Sequence, residues 1–213
     1  ITVASIELMD SLTVKAINAY SSLTLPEKTM LMMEFHGSDA GVEEQAQLVQ
    51  EIAAEHGGSA FEWATDPAEQ KKLWRARHDA AYAIKALRTD GEIWATDACV
   101  PISSMAECIE KTMEDIDSTG IVTPILGHVG DGNFHLCMLV DHDDREEVEQ
   151  AQALHERMIR RAISLEGTCT GEHGIGYGKK EFLQLELGPA VEVMRAIKQA
   201  LDPEDIMNPG KIV

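Results

Sequence analysis

The stretch of sequence that decides the fold is a glycine-rich reversal, and it reads Gly127-His128-Val129-Gly130-Asp131-Gly132-Asn133-Phe134-His135. An apolar run over residues 121–126 precedes it, and an alternating run over residues 134–140 follows it. Because Gly, Asp and Asn tolerate the positive φ angles of a tight turn, this pattern predicts a β-hairpin. In a register symmetric about the turn, His128 and His135 point to the same face of the two strands.

A second group of polar residues lies downstream in another glycine-rich segment, where Glu172 and His173 are flanked by Gly171 and Gly174. Isolated histidines on strands are more often satisfied by ordinary hydrogen bonds than by a metal. Two histidines flanking a turn, followed by a Glu-His pair among glycines, favour a ligand set for a divalent metal. In that interpretation His173 is left for proton transfer.

The composition limits the kinds of partner and location. The 213 residues include 37 acidic and 18 basic side chains, for a net charge of −19. Such a polyanion is repelled by nucleic acid and by anionic lipid surfaces. No apolar run approaches the ~20 residues that span a bilayer, and no secretory leader is visible. The four cysteines are widely spaced, which is typical of free thiols in a reducing compartment. We therefore expect a cytoplasmic protein without a membrane span.

Elsewhere strands and helices alternate. Strands are predicted at Thr2–Leu8, Thr29–His36, Ala60–Thr65, Glu92–Val100 and Thr168–Thr170. Helices are predicted from Asp10 or Ser11 up to Pro26, and over residues 38–55, 66–88, 103–117, 143–167 and 187–200. The order β-α-β-β-α-β in the second half is that of a ferredoxin-like unit. We expect one α+β domain in which ferredoxin-like units form a broad antiparallel sheet with helices packed on one face.

Arg77 has an unusual position in its predicted helix. Leu73, Ala80 and Ile84 share its face, so the guanidinium lies within an apolar stripe. A buried arginine without an anion is unfavourable, so a negative group must meet it. That group is either an internal acid or the carboxylate of a substrate held by both arms of the guanidinium.

Four motifs occur together in this chain, and they are Leu73-Trp74-x-Ala76-Arg77-His78, Gly127-His128-Val129-Gly130-Asp131-Gly132-Asn133-x-His135, Gly171-Glu172-His173-Gly174-Ile175-Gly176 and Asn208-Pro209-Gly210-Lys211. They resemble the C-terminal domain of the FAD-linked oxidases of the vanillyl-alcohol-oxidase type, most closely the branch of D-lactate dehydrogenase and the glycolate oxidase flavin subunit. The resemblance implies that residues 1–213 are a domain that covers the flavin and supplies the substrate site. It also implies that the FAD-binding domain is an N-terminal partner outside this sequence, as the start at Ile1 within a predicted strand suggests.

The resemblance implies a role for each site residue. His128, His135 and Glu172 match the ligands of a divalent metal, zinc or manganese. His173 matches the base that takes the hydroxyl proton while a hydride passes from the substrate Cα to the flavin N5. Arg77 matches the arginine that holds the substrate carboxylate.

The resemblance also bears on the cofactor and on the substrate. The tail that carries Asn208 and Lys211 matches the segment that returns to the flavin. The 2-hydroxyglutarate branch has a lysine in place of Ala95 and an asparagine in place of Cys137. Their absence favours a small 2-hydroxy acid with one carboxylate, and the electron acceptor is left open.

Two other classes of function fit the same residues. A flavin-independent hydrolase would use the His-His-Glu set to activate water, and it would be active as this chain alone. A non-catalytic metal-binding module would pair through its sheet, which would make a homodimer. A dehydrogenase, by contrast, would be inactive until the flavin domain is present.

Overall fold

The computed structural model describes residues 3–59 and 61–213, and every strand pair in them is antiparallel. The chain divides into two compact units. Unit 1 comprises the residues up to Thr89 together with Pro124–Gly130, and unit 2 comprises Asp90–Thr123 and Asp131–Val213. The boundary falls inside the glycine-rich reversal, directly after Gly130. The predicted α+β class with antiparallel strands is confirmed.

In chain order the described elements are β1 (Val3–Met9), α1 (Ser11–Ser21), β2 (Met30–Phe35), α2 (Asp39–Glu55), α3 (Pro67–His78), α4 (Ala80–Lys85), β3 (Glu92–Ala95), β4 (Ala98–Cys99), α5 (Ile102–Asp117), β5 (Ile125–Gly127), β6 (Asn133–Val140), α6 (Arg145–Ser164), α7 (Lys180–Leu187) and α8 (Ala190–Leu201). A single 3₁₀ turn, Val129–Asp131, lies between β5 and β6 where the sequence predicts a tight reversal.

Unit 1 is a three-stranded sheet with helices. Strand β1 lies between β2 and β5, so that Leu8 is opposite both Leu31 and Gly127. Helix α1 begins as predicted, because the Asp10 side chain accepts a hydrogen bond from the Thr13 N–H at 2.8 Å. Helix α1 packs against α4. The largest fully buried side chains of this unit are Met9, Val14, Ile17, Ile84 and Ile125.

Two predictions for unit 1 are wrong. The strand predicted at Ala60–Thr65 is absent, since residues 61–65 pair with no strand in the described part of the chain; Ala60 lies outside the described residues. The helix predicted over residues 66–88 is two helices that meet at Asp79. Asp79 also accepts a hydrogen bond from Arg75 Nε at 3.0 Å, and the apolar periodicity that continues across it conceals the break.

Unit 2 is built around β6, whose eight residues are all buried. Helix α6 packs on β6 and β4, and α5 packs on α6. The large buried side chains of α6 are Leu154, Met158 and Ile159. Helix α6 begins one residue later than predicted, because Asp144 rather than Asp143 caps it, by accepting from the N–H of Glu146 at 2.9 Å.

The strand predicted at Glu92–Val100 is broken at Thr96 and Asp97. Both halves keep one register against β6, because Ala95 is opposite Cys137 and Ala98 is opposite Phe134. Between them the Leu136 N–H donates to the hydroxyl of Thr96 at 2.9 Å, while the Thr96 carbonyl accepts from the ring of His135 at 2.9 Å. The break therefore converts one backbone carbonyl of the strand into a partner for a histidine.

The C-terminal part contains a helix that the sequence analysis missed. Helix α7 begins at Lys180 without a side-chain cap, so no capping residue marks its start. Gly188, at φ +51°, ends it, and α8 follows where the tail helix is predicted. The strand predicted at Thr168–Thr170 is reduced to one bridge between Thr168 and Cys99.

Two predictions from composition concern the whole chain. None of the four cysteines forms a disulfide, in agreement with the predicted reduced thiols. Among the described residues, no helix is both long enough and apolar enough to cross a membrane.

Candidate active site

In unit 1, Glu7, Arg77 and His128 form a cluster, here called the Glu7 cluster. Glu7 lies on β1 and its side chain is buried. Its Oε2 accepts from Arg77 Nη2 at 2.7 Å, and its Oε1 accepts from His128 Nδ1 at 2.7 Å and from the Ser5 hydroxyl at 3.0 Å. One carboxylate thus holds both of the predicted site residues of this unit.

Glu7 is not among the predicted site residues, although the residues around it contain a usable pattern. Side chains alternate across a strand, so Glu7 shares its face with Met9, which is fully buried. An acid at a buried position of a strand requires donors, and Arg77 and His128 provide them. Burial opposes ionisation, but the hydrogen bond from His128 and the charge of Arg77 hold the pKa of Glu7 below its ordinary value.

Arg77 is mostly buried, and its ion pair with Glu7 is the internal salt bridge that the sequence analysis weighed. That bridge does not satisfy the whole guanidinium. Arg77 Nε is buried and has no hydrogen-bond partner in the described part of the chain. The two interpretations of Arg77 are therefore compatible, since Glu7 occupies only part of its donor capacity.

The bond from His128 to Glu7 fixes the form of the imidazole. A carboxylate only accepts, so Nδ1 carries the proton and the lone pair of the neutral ring lies on Nε2. A histidine held in this way by a carboxylate is the usual arrangement of a metal-binding imidazole.

In unit 2, His135 is oriented by the strand break. Its Nδ1 donates to the Thr96 carbonyl, which again leaves the lone pair of the neutral ring on Nε2. Burial lowers the pKa of His135 and so favours the neutral ring. Nε2 lies 3.0 Å from Glu172 Oε1. A lone pair and a carboxylate oxygen at this distance repel each other, so the pair requires either a proton on the ring or a cation between the two atoms.

His173 lies beside both of these residues and is about half exposed. Its ring stacks on the ring of His135, with centroids 4.8 Å apart and planes 11° apart. His173 Nε2 lies 3.6 Å from Glu172 Oε1. Unit 2 therefore brings together three of the predicted site residues, and the loop that carries Glu172 and His173 is held by Asp97, which the sequence analysis also missed.

The tail with Asn208 and Lys211 lies against the end of the glycine-rich segment. The Ile212 N–H donates to the Gly176 carbonyl at 2.9 Å, and the Tyr177 hydroxyl donates to the Pro209 carbonyl at 3.1 Å. Lys211 Nζ lies 5.6 Å from the centre of the Tyr177 ring. The two residues predicted to reach a cofactor are thus carried by a tail that is attached a few residues beyond His173.

The fold is α+β, and each unit holds oriented polar side chains, Arg77 and His128 on Glu7 in unit 1 and His135 beside Glu172 and His173 in unit 2. The model of the family "FAD linked oxidases, C-terminal domain" matches residues 1–212. The chain belongs to this family.

Relatives with known names agree with the family. The chain is 46% identical over 214 residues to "Probable D-lactate dehydrogenase, mitochondrial" of Danio rerio, covering 100% of this chain and 43% of the relative. It is 31% identical over 212 residues to "Glycolate oxidase subunit GlcD" of Bacillus subtilis, covering 98% of this chain and 45% of the relative. The chain thus spans less than half the length of these relatives.

A solved structure shares the fold at low sequence identity. The 4-ethylphenol oxidase from Gulosibacter chungangensis matches with a TM-score of 0.68 and 15% identity, over 98% of this chain and 47% of that one. The resemblance to the C-terminal domain of FAD-linked oxidases is confirmed.

The cytoplasmic location predicted from the sequence is wrong. The D-lactate dehydrogenases of Danio rerio and Arabidopsis thaliana are both named as mitochondrial. The prediction relied on the lack of a leader and on unpaired cysteines. A reducing compartment is not specific to one location, and address segments are read separately from the fold.

Proposed function

We propose that this chain supplies the substrate-binding and proton-transfer residues of an FAD-dependent dehydrogenase that oxidises small D-2-hydroxy acids. One observation carries the proposal. His128 and His135 each donate their Nδ1 proton to a fixed acceptor, a carboxylate in one case and a strand carbonyl in the other, so each directs Nε2 to a ligand. Family membership and the identity to D-lactate dehydrogenase support the reaction class.

The ligands of the divalent metal in this proposal are His128, His135 and Glu172. Imidazole nitrogen and carboxylate oxygen suit zinc and manganese alike. When bound, the metal would act as a Lewis acid on the substrate hydroxyl and make its proton easier to remove.

Arg77 binds the substrate carboxylate in this proposal. The hydrogen bond to Glu7 uses only the Nη2 arm of the guanidinium. Glu7 holds Nη2 and so fixes the plane of the guanidinium, which favours a defined orientation of the substrate Cα–H bond.

His173 is the proposed base. It accepts the hydroxyl proton at Nε2, the nitrogen that lies 3.6 Å from Glu172 Oε1. The electron pair of the O–H bond forms the new C=O bond as the Cα–H bond breaks. When bound, FAD would supply the acceptor for the hydride. Asn208 and Lys211 are proposed to reach that cofactor from the tail, and the FAD-binding domain of the family is the proposed partner.

The proposed substrate has a single carboxylate. Ala95 and Cys137 are directly opposite each other in β3 and β6, so their side chains share a face, and Cys137 shares that face with His135 two residues away. Ala95 has no polar group for a second carboxylate, and the thiol of Cys137 is only a weak donor. D-lactate and glycolate fit this pair better than a diacid does.

The test is anaerobic mixing of the flavin-loaded holoenzyme with D-lactate, glycolate and D-2-hydroxyglutarate in separate experiments. We expect D-lactate or glycolate to bleach the flavin absorbance in a single phase, and the diacid to do so more slowly. A protein that hydrolyses ester or amide substrates with metal alone, while no 2-hydroxy acid bleaches its flavin, would instead be the hydrolase considered above.

A further inference from the structure

We propose that Asp97 is a positioning residue whose buried carboxylate sets the backbone of residues 170–174 and thereby aims Glu172 and His173. The inference rests on the proposed function, because it assigns these two side chains to the reaction. Asp97 itself contacts the loop backbone and lies in the break between β3 and β4.

The carboxylate of Asp97 is surrounded by donors from one loop. Its Oδ2 accepts from the N–H groups of Gly171 at 2.9 Å, Glu172 at 3.1 Å and His173 at 2.9 Å. It also accepts from the Thr170 hydroxyl at 2.7 Å. Three successive backbone N–H groups that converge on one oxygen fix the peptide planes on both sides of Glu172.

Thr170 closes the loop. Its hydroxyl donates to Asp97 and at the same time accepts from the Gly174 N–H at 2.8 Å. The hydroxyl therefore links the first and last residues of the loop directly and ties this link to the Asp97 carboxylate. A loop with this many internal restraints has little freedom to redirect its side chains.

Gly171 shows how closely the loop approaches the carboxylate. A Cβ at this position would lie 2.0 Å from Asn133 Nδ2 and 3.1 Å from Asp97 Oδ1. Asn133 Nδ2 donates to Asp97 Oδ1 at 2.8 Å. Only glycine permits this contact without displacing the asparagine that completes the set of donors.

Lys179 compensates the buried charge. Asp97 is fully buried, and Lys179 Nζ donates to its backbone carbonyl at 2.9 Å and lies 3.4 Å from Oδ2. Burial opposes ionisation, but the Thr170 hydroxyl, the His173 N–H, Asn133 and Lys179 hold the pKa of Asp97 well below its ordinary value. The carboxylate is thus available as an acceptor throughout the neutral range.

Asp97 is adjacent in the chain to a second residue that orients a side chain of the candidate site. Its neighbour Thr96 holds the ring of His135 through its carbonyl. Two adjacent residues in the strand break therefore fix His135 from one side and the pair Glu172–His173 from the other. The distance of 3.0 Å between His135 Nε2 and Glu172 Oε1 depends on both.

The experiment compares Asp97→Asn with wild type in the flavin-loaded holoenzyme, by amide hydrogen exchange, Zn²⁺ affinity and steady-state kinetics. An asparagine side chain has an N–H₂ group in place of one carboxylate oxygen, and this group cannot accept the hydrogen bonds that the loop N–H groups donate. We expect exchange at residues 171–173 to be faster by about 10-fold or more, and Zn²⁺ affinity to fall about 10–100-fold, as is usual for residues that orient ligands. We expect kcat to fall while KM for D-lactate stays within about 2-fold, because Arg77 is untouched.

The matched control is Asp202→Asn. Asp202 is also buried, accepts from the N–H groups of Ile206 at 3.0 Å and Met207 at 2.9 Å, and is paired with Lys198. The substitution therefore makes the same chemical change in another loop. We expect faster exchange at residues 206–207 and wild-type Zn²⁺ affinity.

Thr170→Val provides a second variant if Asp97→Asn does not fold. Valine has nearly the shape of threonine but removes the two hydrogen bonds of the hydroxyl, and we expect a loss of Zn²⁺ affinity of about 3–10-fold. Wild-type exchange, Zn²⁺ affinity and kcat in every variant of the loop that folds would overturn the positioning role. If wild type neither binds Zn²⁺ nor reduces its flavin with a hydroxy acid, the proposed function fails, while the exchange at 171–173 still decides whether Asp97 sets the loop.

Discussion

Glu7 in unit 1 and Asp97 in unit 2 are both buried carboxylates, yet they hold the candidate site residues in different ways. Glu7 binds side chains, those of Arg77 and His128, with one oxygen for each. Asp97 binds the backbone of a loop through three successive N–H groups. The side chains bound by Glu7 can be substituted one at a time, whereas the hydrogen bonds from Asp97 to backbone N–H groups fix every residue of the loop together. Substitutions of the partners of Glu7 should therefore give distinct defects, whereas substitution of Asp97 itself should affect every residue of its loop together.

The largest expected effect separates the two residues that the Asp97 loop presents. His173→Asn in the flavin-loaded holoenzyme should lower the rate of flavin reduction by D-lactate about 10²–10⁴-fold, the usual range for a lost general base. Its metal content should stay at the wild-type level. Glu172→Gln should lose metal and activity together. Metal analysis and stopped-flow absorbance measure both properties, and the reverse pattern would exchange the two roles.

The next effect concerns stability in unit 1. Glu7→Gln leaves the buried Arg77 without its counter-charge, so the free energy of unfolding should fall by about 3–5 kcal/mol, as for other broken buried pairs. Urea unfolding measures this change. The control is Glu34→Gln on β2, whose partner His36 is exposed, and the change there should stay below about 1 kcal/mol. Equal effects of the two substitutions would show that Glu7 is not the anchor of its cluster.

His155 offers a contrast with the two carboxylates, because it is a buried ionisable group whose charged form is disfavoured. Its Nε2 has no hydrogen-bond partner in the described part of the chain, and burial lowers its pKa to about 4. The unfolded chain binds a proton at His155 more readily than the folded chain does. The free energy of unfolding is therefore not reduced by this residue above about pH 6.5, and it falls as the pH falls towards 4. The loss is on the order of 3 kcal/mol.

His155→Leu should remove that loss between pH 6.5 and 4, and the exposed His56→Leu should not. The carboxylates differ, because the pKa values of Glu7 and Asp97 are lowered by their donors. The two ionised carboxylates stabilise the fold fully when the pH is above their ordinary pKa values, near 4.5 for Glu7 and 3.8 for Asp97. This stabilisation is lost only in stronger acid. Urea unfolding at a series of pH values measures both ranges, and an unchanged pH dependence in His155→Leu would contradict the assignment.

A smaller effect is expected for Arg77→Lys. Lysine is a point charge and cannot serve Glu7 and a substrate carboxylate with the fixed geometry of a guanidinium, so KM for D-lactate should rise about 10–100-fold. The kcat value at saturation should change much less. Arg75→Lys is the matched control, since Arg75 on the same helix is exposed and pairs with Asp79. Unchanged kinetics in Arg77→Lys would mean that the arginine serves only Glu7.

Local features of the fold could be predicted from the sequence. The Asp10 cap of α1, the start of α2 after Ser38 and the end of α5 at Asp117 follow from capping residues and apolar periodicity within a few positions. The breaks could not be predicted in this way. The alternation that suggests one strand over Glu92–Val100 continues in register through Thr96 and Asp97, so only the hydrogen bonds of those residues show the interruption.

The site shows the same limit. Histidines and carboxylates near glycines identify the chemistry of the side chains, but the residues that orient them are distant in sequence. Glu7 is 70 residues from Arg77 and 121 from His128, and Asp97 is 76 from His173. Such pairings depend on tertiary structure, and the local sequence around Glu7 or Asp97 does not specify which residues donate to these carboxylates.

The central claim is that His128 and His135 present Nε2 to a metal, and zinc or manganese analysis of the purified holoenzyme tests it most directly. The account predicts one divalent ion per chain in wild type, a loss of at least about 90% in His128→Ala and in His135→Ala, and full retention in His56→Ala, which changes an exposed histidine of unit 1. Equal metal content in wild type and in both site variants would contradict it.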